Sequence, residues 1–157
     1  MNQAKSITIQ NLEAAFAGES MAHIKYLYFA KLCRARGDAH SAKIFEATAA
    51  QEVQHAFGHL DLLFPENELT PARCLELAIE GETYEYTEMY PKFRHLAEQE
   101  KNLDAVREFD EQIEESRQHA EQFQAVLDKA AKRFAALTKV EKRHAEHYQN
   151  ALKGIVG

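Results

Sequence analysis

The chain has 157 residues, 45% of them apolar and 28% charged, with a formal net charge of −6. That length suits one domain with its own hydrophobic core, so residues 1–157 are read as a single domain. The acidic balance offers nothing to nucleic acid or to an anionic membrane surface, and no apolar run approaches the roughly 20 residues of a membrane span. The opening MNQAKSITIQ lacks the charged-then-apolar pattern of a secretory leader, so a cytoplasmic location is expected. Cys33 and Cys74 stand alone with no Cys-x-x-Cys. Reduced, half-buried thiols are therefore expected, with no zinc ribbon and no rubredoxin-type iron site.

Glycine and proline are scarce and mark the element ends. Ile9 to Arg36 carries Leu12, Phe16, Ile24, Leu27 and Leu32 at helical spacing, and Gly37-Asp38 ends it. A second helix over Ser41–Phe64 uses Ile44, Phe45, Val53, Phe57, Leu60 and Leu63 and stops at Pro65. PENELTP reads as a loop, with Thr70 as an N-cap and Pro71 in the first turn of a third helix. That helix carries LELAIEGETYEYTEMYPKF, and Pro91 is expected to kink or interrupt it. Lys92 to Lys153 has neither glycine nor proline. Strand signals are missing, and the fold class is an all-α helical bundle with an extended C-terminal helical region.

That last stretch holds a tandem repeat. Residues 109–127 and 134–152 align without gaps, pairing Phe109 with Phe134, His119 with His144, Phe123 with Tyr148 and Leu127 with Leu152. One position differs in kind: Ser116 lies where the later copy has Glu141. A repeat of 25 residues is close to seven helical turns, so both copies would show the same face on a continuous helix.

Residues three apart on a helix share a face, which aligns Glu52 with His55 and Glu141 with His144. Two further glutamates each follow a glycine, in Gly18-Glu19 and Gly81-Glu82, and Glu85 lies one turn past Glu82. The glycines are expected to let neighbouring helices approach closely. A Glu from each of two helices plus Glu-x-x-His from each of two others is the ligand set of ferritin-like dimetal carboxylate bundles. Carboxylates gathered inside a bundle repel and are costly to desolvate unless cations lie between them. Imidazole with carboxylate suits redox-active iron or manganese, so two divalent ions, of iron, of manganese or one of each, are expected. His23, His40, His59, His95 and His147 lack a matching partner, and Glu111, Glu114 and Glu115 read as a solvated face. Most tyrosines read as interhelix packing, with Tyr26 and Tyr90 kept as candidates for contacts near the metals.

FAGES with Tyr26 behind it, Glu52-x-x-His55, GETYEYTEMYP and the Phe134–Tyr148 stretch with Glu141-x-x-His144 resemble the rubrerythrins. The resemblance implies a four-helix bundle with a non-haem diiron site that reduces hydrogen peroxide to water. It implies Glu52 and Glu141 as bridging ligands, Glu19 and Glu82 as terminal ligands, and His144 on one iron. His55 and Glu85 would be the pair exchanged as the other iron changes oxidation state. Two departures stand out. No Cys-rich rubredoxin domain is present, so electrons must come from an external donor such as a rubredoxin-like protein or a reductase.

The second departure is the extra repeat. By distance from Glu85 the first copy occupies the family's last-helix position; by ligand type the second copy does. The ligand criterion is preferred here, because a hydroxyl is a poor replacement for a bridging carboxylate. That choice makes a region around 103–133 a helical insertion. Its apolar residues suggest a homodimer, with exchanged helices as one arrangement, in which Glu141 and His144 could come from the partner chain. The same ligands would also serve a ferroxidase or iron-handling protein using O2 or peroxide. A helical interaction protein that keeps the ligands by descent is the reading from a different class.

Overall fold

The computed structural model describes residues 6–155, leaving side chains at 68, 151 and 153–155 aside. The N-terminal residues 1–5, on which the leader reading partly rests, lie outside that range. The elements in order are α1 (Ile7–Ala35), α2 (Ala39–Leu63), a 3-10 turn (Glu66–Glu68), α3 (Pro71–Tyr84), a π-helical turn (Glu85–Met89), α4 (Tyr90–Gln99) and α5 (Leu103–Ile155). There is no strand among the described residues, so the all-α class holds. No helix among them is long and apolar enough to cross a membrane. The chain forms two compact units, Met1–Leu69 and Thr70–Gly157.

The first unit is the α1–α2 hairpin. Ser6 caps α1 by accepting from the Ile9 amide at 3.3 Å. Gly37 takes φ +82° at the turn, the left-handed conformation glycine adopts without strain. Asp38, expected to help end the first helix, instead starts the second: its Oδ1 accepts from the Ser41 amide at 2.9 Å. α2 therefore begins at Ala39, two residues earlier than the apolar pattern suggested. The buried seam is made of alanines, Ala30 on α1 and Ala42, Ala49 and Ala56 on α2. Seven-residue spacing keeps those three on one face, and their small size lets the helix backbones approach closely.

In the second unit Thr70 caps α3, accepting from the Arg73 amide at 3.1 Å, with Pro71 behind it. Pro91 does interrupt the rod, as expected, but its effect lies upstream. Its ring cannot tolerate the carbonyl four residues back and it donates no N–H. The preceding turn widens to a π-helical one in which the Tyr90 amide donates to the Glu85 carbonyl. The turn between α4 and α5 carries no glycine or proline and was not visible in the sequence. Lys101 takes φ 59° there, and Asn102 caps α5 through the Ala105 amide at 3.2 Å.

α5 runs antiparallel to the α3–π–α4 rod. Asp110 accepts from Arg94 at 2.6 Å, the Phe109 ring lies 6.0–6.1 Å from those of Phe93 and Tyr90, and Ser116 meets Glu85. The half-buried and buried residues Val106, Phe109, Ile113, Ser116, Ala120, Phe123 and Leu127 form the stripe that faces the rod. α3 begins at Pro71, so this register exhausts its partner near residue 130. The next 25 residues, about 37 Å of helix, carry exposed Phe134, Leu137, Tyr148 and Leu152. The insertion expected around 103–133 is thus corrected. Residues 103–127 are the packed helix, and the surplus lies at its C-terminal end.

The glycine expectation is also corrected. A Cβ built at Gly18 or Gly81 would meet no atom within 4 Å. Within its own unit neither glycine is a close-approach point, and each weakens its helix. Gly81→Ala should raise the unfolding free energy by about 1 kcal/mol in chemical denaturation, whereas Thr70→Ala should lower it by about 1 kcal/mol through the lost cap.

Candidate metal centre

Each unit gathers its own set of ligand-type side chains. On the hairpin, Glu19 of α1 stands beside Glu52 and His55 of α2, and one ligand atom from each lies within 4.8 Å of the other two. His55 Nδ1 donates to Glu52 Oε2 at 2.8 Å, the contact that i,i+3 spacing permits. Both carboxylates are half-buried and the imidazole is exposed. Beside them His23, assigned no partner from the sequence, donates from Nδ1 to the Ala49 carbonyl at 2.8 Å. That bond ties α1 to α2 one turn from Glu52 and Glu19. Tyr26 lies two turns past Glu19 and packs its ring 5.9 Å from that of Phe45.

On the second unit Glu82 and Glu85 share a face, with Glu85 opening the π-helical turn. The residues of α5 that meet them are Ser116 and His119. Ser116 Oγ donates to Glu85 Oε2 at 3.0 Å, and His119 Nδ1 lies 3.4 Å from Glu82 Oε1. The other oxygen, Glu82 Oε2, is buried with no hydrogen-bond partner. Tyr90 lies close by. Burial first, then the charges of Glu85, Glu82 and Glu108, push its phenol above its ordinary range. The phenol therefore stays protonated through the neutral range and keeps its O–H as a donor.

Within this chain the structure brings the first repeat copy to Glu82 and Glu85. Glu82 and Glu85 face the first copy, while Glu141 and His144 are exposed on the surplus stretch of α5. The reason is chain length: α4, a three-residue turn and an antiparallel return bring residues 116 and 119 level with 85 and 82. Glu141 lies 25 residues, about 37 Å, farther along the same helix. The sequence signal that locates His119 is its distance from Glu85.

These donors fit a divalent metal. A buried carboxylate oxygen without a partner loses its hydration with nothing in return, and a cation supplies the missing interaction. Mixed oxygen and nitrogen donors without thiolate match iron or manganese better than a structural zinc site. Both free cysteines lie apart from these sets, Cys33 half-buried and Cys74 exposed.

The family model that matches this chain covers the first repeat copy and ends before the second, whereas the matches to individual relatives reach as much as 94% of the chain. The Rubrerythrin family model matches residues 10–127 and so includes His119 but neither Glu141 nor His144. Nigerythrin of Nitratidesulfovibrio vulgaris is 37% identical over 133 residues, 77% of this chain and 66% of the relative. Rubrerythrin of Porphyromonas gingivalis is 32% identical over 133 residues, 78% of this chain and 66% of the relative. A solved structure of nigerythrin in its fully reduced, all-ferrous state shows 34% identity, a TM-score of 0.41, and coverage of 83% of this chain and 70% of that one. This chain thus spans about two thirds of the length of those curated relatives. Matched from residue 10 to residue 127, it belongs to the rubrerythrin family.

Proposed function

We propose that this protein is a non-haem diiron peroxidase that reduces hydrogen peroxide to water with electrons from an external donor, in defence against oxidative stress. The observations that carry the reading are the Glu19, Glu52 and His55 cluster on the hairpin and, on the second unit, the approach of His119 to Glu82 beside a buried, unpartnered oxygen of that carboxylate. Glu19, Glu52 and His55 form one set; Glu82, Glu85 and His119 form the other. Each set is of the carboxylate-plus-imidazole type that dimetal carboxylate bundles use. Two ferrous ions would supply the two electrons that cleave the O–O bond; two protons complete the conversion of H2O2 to two waters. The chain's own part is to hold the ions and manage protons. Tyr90, kept protonated by burial and its acidic neighbours, is the phenolic donor close to Glu85 and Glu82, while Tyr26, packed on Phe45, plays a supporting role on the hairpin. A rubredoxin-like protein or a reductase is the proposed donor, and the cytoplasm the proposed location.

We further propose a homodimer. Met21, Ile24 and Phe57 on the hairpin and Phe134, Leu137 and Tyr148 on the surplus helix are all more than half exposed. That much large apolar surface suits an association face.

Anaerobic loading with Fe(II) should give two irons per chain, and the loaded protein should be reoxidised faster by peroxide than by O2. Faster reoxidation by O2 would favour a ferroxidase, and no iron uptake would remove the proposal. His119→Ala should release at least half of the iron while His144→Ala retains it. Removing metal should lower the melting temperature, since saturation at about 100 times Kd contributes about 2.7 kcal/mol. Sedimentation at micromolar concentration should show a dimer.

A further inference from the structure

Ser116 is the one buried polar residue among the described residues, 4% exposed. A serine inside a helix ordinarily returns its hydroxyl to the carbonyl four residues back or turns it to water. Here the hydroxyl crosses to another element and donates to Glu85 Oε2. One turn later on the same face, His119 approaches Glu82. Glu85 is thereby held at both ends, its carbonyl by the Tyr90 amide and its carboxylate by Ser116. The internal repeat shows what else the position can hold, because the equivalent residue of the exposed copy is Glu141.

We infer that Ser116 is a positioning residue which fixes the Glu85 carboxylate before metal arrives, a neutral donor where the repeat's other copy carries a carboxylate. The inference rests on the reading that Glu82, Glu85 and His119 hold metal. A carboxylate at 116 would add a third negative charge beside Glu82 and Glu85. In the metal-free protein those like charges repel in a partly desolvated place. A hydroxyl removes that repulsion and orients Glu85 instead. In exchange, the α5 side of the set offers a single anchoring ligand, the His119 imidazole. Ser116 thus trades strength of the loaded site for order in the empty one.

The test uses the full-length protein stripped of metal and titrated anaerobically with Co(II), whose visible absorption reports ligand geometry. Ser116→Ala should weaken the weaker Co(II) step about tenfold, the loss expected for one hydrogen bond to a charged group, and should alter the absorption band. Ser116→Thr, which keeps the hydroxyl, should restore both. Ser116→Glu should melt at a lower temperature than wild type without metal and regain that loss when Co(II) is added. Wild-type titration and band in Ser116→Ala, with only the melting temperature changed, would make Ser116 a packing residue and overturn the inference. So would a threonine variant that behaves like alanine, or a metal-free glutamate variant as stable as wild type. A wild-type protein that takes up no Co(II) would overturn the ligand set itself, a result distinct from those three.

Discussion

Negative charge brought together on helix faces is the constraint that organises this molecule. Glu82 illustrates it most sharply: one oxygen faces the His119 imidazole and the other is buried without a partner. In a solvated helix such a carboxylate would turn outward at little cost. It stays in because its helix packs against α5 along a stripe that includes Phe109, Ser116 and Ala120, and leaving that stripe would expose apolar surface. The backbone packing thus enforces an electrostatic arrangement that the side chain alone would not choose. The same tension exists on the hairpin in milder form, where His55 offsets Glu52.

Proline supplies the second organising element. Pro91 acts on the turn before it, where the widened π geometry places Glu85 at the junction between α3 and α4. A regular α-helix would advance Glu85 and Tyr90 on different faces; the extra residue in the turn rotates α4 about its axis. Tyr90 then joins Phe93 and Phe109 in a ring cluster while remaining close enough to sense Glu85 and Glu82.

Much of this was legible in the residues. Helical spacing and sparse glycine and proline located α1, α2 and α3 within a few positions, because those signals are local and strong. Glu19, Glu52 and His55 were legible for the same reason: an i,i+3 pair and a third carboxylate on an adjacent hairpin helix need little knowledge of distant packing. The turn at Glu100–Asn102 was not legible, since Lys101 adopts a left-handed conformation that its type does not advertise. Without that signal residues 92–153 look unbroken, and the start of the return helix is hidden. The choice between His119 and His144 suffers from the same gap. Ligand type favours Glu141, but register along an antiparallel pair is fixed by where the turn falls, and that brings Ser116 and His119 to Glu85 and Glu82. Gly18 and Gly81 mislead differently, as their position before a glutamate suggests a tight crossing that open space around them does not support.

The alanine seam of α2 has a consequence for tolerance. Ala49 and Ala56 lie three residues before and four after Glu52, so the same two contacts that close the hairpin also bracket the ligand. An alanine side chain has no rotamer with which to absorb an error. The gap between Glu19 and Glu52 is therefore calibrated by backbone-to-methyl contact, much as a spacer sets the jaws of a clamp. A single added methylene at Ala49 would be read out as a displacement of a carboxylate several ångströms away. Substitution history along that seam should consequently be governed by ligand spacing, even though none of the three alanines offers a donor atom to a metal.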